Sequence, residues 1–586
     1  MDRSIAVLYG SETGNAQDFA ETLTRRLELL HFKVHLSSLD EFDLKNLLSV
    51  RILIVLCSTT GQGEFPKNSR KFWKFMLKKK LPNDLLNHLY FTTFGLGDSS
   101  YPKFNWAIKK LHNRLLQLGG VEFSKRAESD EQSSQGADGY YIEFQNLLVQ
   151  NLNGKFPLPE GLEPISEDEL LPPKFKLSID LKKPKRKTDT NSKEIALTRT
   201  DSTLKAGTVV LNKRITSDDH FQDVRHFRIQ DDDEQLDYSP GDTMALYPTN
   251  DSREVDALIE IQNWTDIADR RVIIENDHLP IIDGGLIKTP TLRSLITHHL
   301  DLKAIPRRSF FALLWHFASD EREREKLQEF SSYKDPEELY NYANRPRRSI
   351  LETIQEFFSV KIPIEYLLDL FPIIKPRLFS ISSPPSSDKV DLTVAVVQYK
   401  TMIRRIRKGL CTSWLKTLNE GDKVIYKIDK NNLKFPGPEV PIIMIAPGTG
   451  VAPMRSLIHQ RVFDFKANKN NLYLFFGNRL HDKDFLYGEE WNELVEQERL
   501  TLFTAFSRES GGYVQDQLYL QAELVAELLT HGNAVIYVCG SSGKMPNQVR
   551  LTFETILEET KGLTKEQSKQ YLLELETNNR YLQETW

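Results

Sequence analysis

The chain has 586 residues, with 77 Lys and Arg against 82 Asp and Glu, a formal net charge of −5. At roughly 100–200 residues per domain this suggests about three or four domains, more than one hydrophobic core can serve. The mild acidity argues against a wholesale nucleic-acid binder, three cysteines exclude a disulfide framework, and no apolar run nears the ~20 residues of a membrane helix.

Up to about residue 150, apolar runs at 5–8, 33–36, 52–56 and 90–94 read as strands. Between them Phe19, Leu23, Leu27 and Leu30 recur at helical spacing, as do Phe72, Phe75 and Met76, then Leu111, Leu115 and Leu118. Strands alternating with helices predict a doubly wound parallel sheet over 1–150. Three loops follow strand ends, where open α/β sheets bind ligands. The first, Gly10-Ser11-Glu12-Thr13-Gly14-Asn15-Ala16, can wrap a phosphate in N–H groups and hydroxyls at a helix N-terminus. It lacks the Gly-Lys-Ser/Thr of a Walker loop, and alone it reads equally well as a tight strand–helix turn. The second is Ser58-Thr59-Thr60-Gly61-Gln62-Gly63-Glu64. The third, Gly95-Leu96-Gly97-Asp98-Ser99-Ser100-Tyr101, puts an aromatic face where a planar ring could stack.

Residues 151–203 read as a linker with little packed structure, rich in proline and carrying a basic run at 182–187. That run reads as solvated chain rather than a nuclear-localisation or phosphate-binding patch. From 204 to 435, strand-like stretches at 209–212, 226–229, 243–247, 392–398 and 423–427 predict an antiparallel barrel. A helical insert at about 250–365 includes His298, Trp315 and Leu339. In Pro376-Arg377-Leu378-Phe379-Ser380, the Arg can pair with a pyrophosphate, Phe379 can stack on a ring and Ser380 can bond a flavin edge. Gly409-Leu410-Cys411-Thr412 then opens a helix, a second anion site. Each of these segments alone is a weak signal.

From 436 to 586 the βα alternation returns, with strands expected at 442–446, 472–476, 502–505 and 535–539. APGTGVAP, containing Thr449, follows a strand and precedes a helical pattern, as a dinucleotide site requires. Ser507, Arg508, Tyr513, Val514, Gln515, Asp516 and Gln517 add a hydroxyl, a guanidinium and a phenol, and an Arg near the ribose favours NADP over NAD.

In this order the motifs resemble those of diflavin reductases. LYGSETGNA, STTGQGE and LGDSSYPKFN resemble the FMN-binding segments of flavodoxin-like domains. The resemblance implies an FMN phosphate held by Ser11, Glu12, Thr13, Gly14, Asn15 and Ala16. Ser58, Thr59, Thr60 and Gly61 would line the ring, with Thr60 standing where many relatives have Tyr. So would Leu96, Gly97, Asp98, Ser99, Ser100, Tyr101, Pro102, Lys103, Phe104 and Asn105, with Tyr101 stacking and Glu131 on the ribityl side. RLFS and GLCT resemble the RxYS and GxCS/T motifs of ferredoxin–NADP reductase-like domains. They imply FAD on Arg377, Leu378, Phe379, Ser380, Gly409, Leu410, Cys411 and Thr412, with Arg347 a further contact. In the NADP segment, Gly511 replaces a Lys that the family often has.

These reductases surround the hydride-transfer atoms with a Ser, a Cys and an acidic residue. Ser380 and Cys539 match the first two. The acidic member is expected to be missing, because Gln548 stands three residues after Met545, leaving orientation to Gln548. Trp586 would shield the FAD ring until nicotinamide displaces it. The implied fold is multidomain α/β plus β. It comprises a flavodoxin-like doubly wound parallel sheet, a ferredoxin–NADP reductase-type antiparallel β-barrel with a helical insert, and a Rossmann-like NADP-binding domain. GLGDSSYPKFN, LNKRIT, NRPRRSILE and YLQETW closely resemble the soluble NADPH-dependent diflavin oxidoreductases of eukaryotes. This implies FAD, FMN and NADPH as cofactors, and an anamorsin-type Fe–S cluster assembly protein as electron acceptor. It also implies a cytoplasmic place with mitochondrial association, no nucleic-acid partner, no membrane insertion and no required oligomer. A reductase of a soluble P450 or other heme protein, or a flavin-bearing non-catalytic scaffold, are the alternatives.

Overall fold

The computed structural model describes residues 3–585 except 62, 102, 134–135, 183–198, 234–235, 276–283, 334, 387, 402–403, 432 and 510–511. Pro102, Gly511, Trp586 and residues 183–187 of the basic run therefore lie outside the described residues. The chain packs as two units, Met1–Leu177 with Leu302–Phe371, and Ser178–Asp301 with Pro372–Trp586.

The first unit is built on β1 (Ser4–Gly10), β2 (Lys33–Ser38), β3 (Ile52–Ser58), β4 (Tyr90–Gly97), β5 (Val121–Glu122) and β6 (Ala127–Asp130). They form a parallel sheet in the order β2-β1-β3-β4-β5, with β6 also pairing with β4. This is the doubly wound flavodoxin-like order, whose ligands sit at the switch point beyond β1 and β3. Residues 52–57 are an unbroken apolar run because both faces of their strand are covered. One face packs on helices Asn15–Leu29 and Gly136–Lys155, the other on Arg70–Met76 and Trp106–Gln117.

Residues 157–176 carry no helix or strand and none of their side chains is buried, and a few contacts tie the stretch to the rest of the first unit. Phe156 is buried, the Ile165 N–H donates to the Leu29 carbonyl at 2.8 Å, and the Tyr366 hydroxyl donates to the Leu171 carbonyl at 3.1 Å. Proline removes N–H donors and so blocks regular ladders, but it leaves carbonyls free to accept. The expected helical insert is divided. Helices Arg308–Leu314, Glu321–Ser331 and Ile350–Glu356 pack with the first unit, whereas Ser252–Ile261 and Leu292–His299 belong to the second.

In chain order the next strands are β7 (Leu177–Ile179), β8 (Lys205–Arg214), β9 (Val224–Asp231), β10 (Thr243–Leu246) and β11 (Val272–Ile274). After the helices come β12 (Arg377–Ser380), β13 (Lys389–Ala395), β14 (Gln398–Lys400), β15 (Ile406–Lys408) and β16 (Lys423–Asp429). β7 with β11, and β14 with β15, are short ribbons. The others form an antiparallel sheet in the order β12-β10-β16-β8-β9-β13. Its edges meet where Ile381 bridges Leu392 and the Ser382 N–H donates to the Asp391 carbonyl at 2.8 Å, closing a barrel. Val209, Phe227, Ile229, Met244, Leu392 and Tyr426 fill its interior.

The last domain carries β17 (Ile442–Pro447), β18 (Leu472–Asn478), β19 (Thr501–Phe506), β20 (Val535–Gly540) and β21 (Tyr581–Thr585). All are parallel, in the order β19-β18-β17-β20-β21, with apolar layers on both faces. The short strands β5, β6, β7, β11 and β15 escaped sequence reading, and so did two strands that carry site residues. β12 coincides with the motif Arg377–Ser380 that was expected to precede a strand, and β21 lies beyond the last strand expected.

Candidate functional site

Three loops gather at the carboxyl ends of β1, β3 and β4 in the first unit. Gly14 adopts φ +100°, a left-handed turn that a side chain would strain, and it opens the N-terminus of helix Asn15–Leu29. The Gly14 N–H donates to Ser11 Oγ at 2.9 Å, so Ser11 is turned inward, while Thr13 and Asn15 are exposed. Exposed hydroxyl and amide groups at an open helix end suit a phosphate, so the donor set fits FMN. Ala16 is buried, and Glu12 is exposed and accepts from the Lys67 N–H at 2.9 Å. In the second loop, Thr59 donates to the Leu96 carbonyl at 2.9 Å, the Ser58 hydroxyl donates to the Gly10 carbonyl at 3.3 Å, and Thr60 bridges Glu64.

In the third loop, Asp98 accepts from the Ser100 N–H at 2.8 Å and from Gln132 Nε2 at 3.1 Å. Asp130 accepts from the Ser99 N–H at 2.9 Å. Tyr101 is 39% exposed, and Lys103 and Phe104 are half-buried. Asn105 is buried and donates to the Ser129 carbonyl at 3.0 Å. A Cβ on Gly97 would collide with the Asn105 side chain at 2.8 Å, so Gly97 and Asn105 pack as a pair. The Glu131 N–H reaches the Gly97 carbonyl at 3.0 Å, and burial pushes its carboxyl up, with Asp98 and Asp130 adding to the rise. Sequence reasoning missed Arg307, whose guanidinium donates to the Gly14 carbonyl at 2.6 Å and to the Thr13 carbonyl at 2.8 Å. No motif marks it, because it is 293 residues away from Gly14.

The residues expected around FAD fall in both packing units. Arg347 belongs to the first; it is exposed with φ +52°, while its neighbour Arg348 is engaged with Glu356 and the Tyr342 ring. In the second unit β12 presents Arg377 and Leu378 to solvent, with Phe379 half-buried against the barrel core. Ser380 is half-buried and sits opposite Thr243 of β10. Gly409 precedes helix Leu410–Thr417. Cys411 points into the barrel core, where burial pushes its thiol up to about 12, so the side chain is not available at the helix end. The Thr412 hydroxyl accepts from the Val397 N–H at 3.0 Å. Ser413 Oγ is buried beside them without a protein partner, an orphan donor that fits an anionic group at this helix end.

At the nucleotide loop, a Cβ on Gly450 would lie 2.1 Å from the Cys539 carbonyl oxygen, so glycine alone lets the loop pass the end of β20. Thr449 is half-buried in the same turn. Ser507 and Arg508 follow β19, their N–H groups bonded to the Asn478 and Arg479 carbonyls at 2.9 Å. Tyr513 is 60% exposed and open to a ligand. Val514 is buried in the core and Asp516 caps its own helix, accepting from the Tyr513 N–H at 2.6 Å, so those two side chains already have structural work. Gln515 is half-buried and donates to Gln548 at 3.3 Å, and Gln517, two residues on, is also half-buried.

The expectation that the acidic group is missing is corrected by β21. Its parallel pairing with β20 places Glu584 in register with Cys539. The Glu584 carboxyl accepts from the Tyr537 hydroxyl at 2.5 Å and from Asn431 Nδ2, and the Asn431 N–H in turn reaches Asp242 at 2.7 Å. Burial pushes Glu584 up to about 7, against the lowering effect of the Tyr537 and Asn431 bonds. Burial, then Glu584, pushes the wholly buried Cys539 thiol well up, so it stays protonated at neutral pH. A cross-strand neighbour leaves no trace in local spacing, which is why Gln548 drew attention instead; Gln548 is exposed and bonded to Gln515.

The barrel and the nucleotide loop are joined by a buried ion cluster. Arg455, on the helix after the loop, donates to the Ser382 carbonyl at 2.9 Å and pairs with Asp391 at 3.2 Å. Asp391 also holds Arg228 at 2.5 Å and His226 at 3.0 Å. Burial pushes the Asp391 carboxyl up, but the Arg228 and His226 bonds prevail and hold it well below the usual range. Glu490 pairs with Arg455 at 2.8 Å and His459 at 2.6 Å, and these bonds overcome burial to bring it down to about 2.

Comparisons with known proteins match this geometry segment by segment. The flavodoxin family model covers residues 7–144, the FAD binding domain covers 201–414 and the oxidoreductase NAD-binding domain covers 444–550. The chain is 51% identical to NADPH-dependent diflavin oxidoreductase 1 of Debaryomyces hansenii, over 99% of this chain and 98% of that one. The chain belongs to the NADPH-dependent diflavin oxidoreductase family. Relatives of the same name in Candida albicans and Saccharomyces cerevisiae are 48% and 40% identical, with all of this chain covered and 100% and 99% of theirs. As a diflavin oxidoreductase the chain uses FAD, FMN and NADPH and transfers electrons to an acceptor partner. Among the described residues no helix is long and apolar enough to cross a membrane.

Proposed function

We propose that this reductase delivers electrons singly to an anamorsin-type Fe–S protein of cytosolic iron–sulfur cluster assembly, in the cytoplasm with mitochondrial association. When bound, FAD would supply two-electron hydride chemistry toward NADPH and FMN would supply one-electron chemistry toward the acceptor. The proposed division is an FMN domain over 1–150, a linker over 151–203, an FAD domain with its insert over 204–435 and an NADP domain over 436–586. In the first, Thr13 and Asn15 at the helix end hold the phosphate and Tyr101 covers the ring. In the second, Arg377 and the N-terminus of helix Leu410–Thr417 hold the pyrophosphate, and Ser380 bonds the flavin edge. In the third, Ser507, Arg508 and Tyr513 hold the 2′-phosphate side of NADPH.

The observation that carries the catalytic reading is the pair Cys539 and Glu584, in register on adjacent strands. Glu584 supplies negative charge where positive charge develops on a nicotinamide losing hydride, and a neutral Cys539 thiol packs the site without adding charge. The Tyr537 hydroxyl and Asn431 amide fix the orientation of that carboxyl. Arg455 holds the nucleotide loop against the barrel corner that follows Ser380. The acceptor rests on the close resemblance to the eukaryotic family. Purification with flavin quantification, then NADPH turnover with an anamorsin-type protein and with cytochrome c, tests the reading. Turnover with cytochrome c but none with the Fe–S protein refutes the acceptor; absence of bound flavin refutes the enzyme.

A further inference from the structure

The first unit carries a strongly one-signed surface in a chain that is acidic overall. Residues 65–83 hold seven Lys or Arg and residues 99–121 hold four, with no Asp or Glu in either stretch. Both stretches lie on one face of the sheet, because helices Arg70–Met76 and Trp106–Gln117 pack into the same apolar layer. They adjoin directly: Arg114 Nε donates to the Met76 carbonyl at 2.7 Å. At the other end, Lys110 Nζ reaches the Gly63 carbonyl at 3.4 Å, so the band runs from the loops assigned to FMN to Lys80.

The two partners that quench part of this charge sit at its margin, Arg70 with Glu64 at 3.5 Å and Lys109 with Glu128 at 3.1 Å. Among the described residues Lys71, Lys74, Lys78, Lys79, Lys80 and Lys110 form no ion pair with a carboxylate, and all six are exposed. Burial and the nearby Lys103 push Lys110 down. At the loop end, Trp106 is 42% exposed, with Lys110 Nζ 5.0 Å and Lys103 Nζ 5.7 Å from its ring, and the exposed Tyr101 lies five residues before it. An exposed aromatic anchor next to a field of unpaired like charges is the composition of a recognition surface, and the self-repulsion is relieved by a partner of opposite sign.

We propose that this basic band is the docking surface for an acidic protein electron acceptor, with Trp106 as its apolar anchor. The proposal rests on the reading that FMN sits in the adjoining loops and that electrons leave there. A redox partner must bring its own centre near those loops, and the band begins at them. Charge at a docking surface acts chiefly on encounter rate, raising it 10–10³-fold in a salt-dependent way.

The test is the full-length variant Lys74→Glu/Lys78→Glu/Lys79→Glu/Lys80→Glu, with the corresponding Lys→Gln set as a milder companion should the first not fold. Cytochrome b5 serves as an acidic protein acceptor, cytochrome c as a basic one and ferricyanide as a small one. The expected result is a fall of about tenfold or more in kcat/KM for cytochrome b5 and a flattened salt dependence. Cytochrome c turnover is unchanged or raised, and FMN content and ferricyanide turnover are unchanged. Cytochrome b5 turnover equal to wild type with FMN in place overturns the docking proposal alone. Wild-type protein lacking FMN overturns the functional reading beneath it as well. A poly-dT oligonucleotide that binds wild type but not the variant, with cytochrome b5 turnover untouched, reassigns the band to nucleic acid and overturns the proposal.

Discussion

Replacing Glu584 by glutamine keeps an oxygen to accept from the Tyr537 hydroxyl but removes the titrating proton. In the fold this carboxyl is pushed from an ordinary 4.5 up to about 7 by burial. The folded protein thus binds that proton more tightly than the unfolded chain, by no more than about 3 kcal/mol. The stability associated with it is present below pH 4.5 and is lost as pH rises through 7, because the native state must then bury a charge. Wild type and Glu584→Gln should therefore unfold at similar urea concentrations near pH 5. Near pH 8 the variant should be the more stable, by up to the same ~3 kcal/mol. Hydride transfer should change in the opposite sense. The rate of flavin bleaching by NADPH should show an inflection near pH 7 in wild type, absent in the variant, with a slower plateau. A stability difference equal at pH 5 and pH 8, or an inflection that survives the substitution, would falsify the assignment of a shifted proton to Glu584.

Other substitutions separate the parts of the site. Cys539→Ala should leave flavin content intact while slowing NADPH-dependent bleaching; stopped-flow with unchanged rates would remove it from the reaction. Gly450→Ala puts a methyl 2.1 Å from the Cys539 carbonyl oxygen, so the loop must move and NADPH affinity, read from KM, should fall about tenfold or more while FAD is retained. Arg307→Ala frees the Thr13 and Gly14 carbonyls and should weaken FMN retention by about 1–3 kcal/mol, measured by fluorescence of released flavin, with FAD unaffected. Arg455→Met leaves Asp391 and Glu490 short of a cation and should destabilise the second unit by about 3–5 kcal/mol in denaturant titration, against a near-neutral result if solvent can reach them.

The strands that sequence made legible are those whose apolar runs are buried on both faces, such as 52–57 and 442–446, where composition alone carries the signal. The strand–turn–helix segments that carry residues 10–16 and 446–453 were equally legible, since each lies within one short stretch of chain. What escaped depends on pairing between distant segments. β12 was hidden because its residues are half-buried or exposed, and β21 because five residues at a sheet edge have too little pattern. Glu584 was invisible for the same reason: only register brings it to Cys539. The proline-rich stretch from 157 to 176 carries no helix or strand, and single contacts such as the Tyr366 hydroxyl on the Leu171 carbonyl have no local pattern to announce them.

The buried carboxylate of Asp391 has a consequence for how such reductases can be recombined. Its three side-chain partners come from two segments that the family models treat as separate modules: His226 and Arg228 from the barrel, Arg455 from the helix behind the nucleotide loop. Grafting a foreign nucleotide-binding half onto this barrel without an arginine at position 455 would take a guanidinium away from a carboxylate that cannot return to water. The inheritable piece is therefore barrel plus nucleotide segment together, and a cut drawn between residues 414 and 444, where one matched family model ends and the next begins, would sever an electrostatic bond rather than a linker.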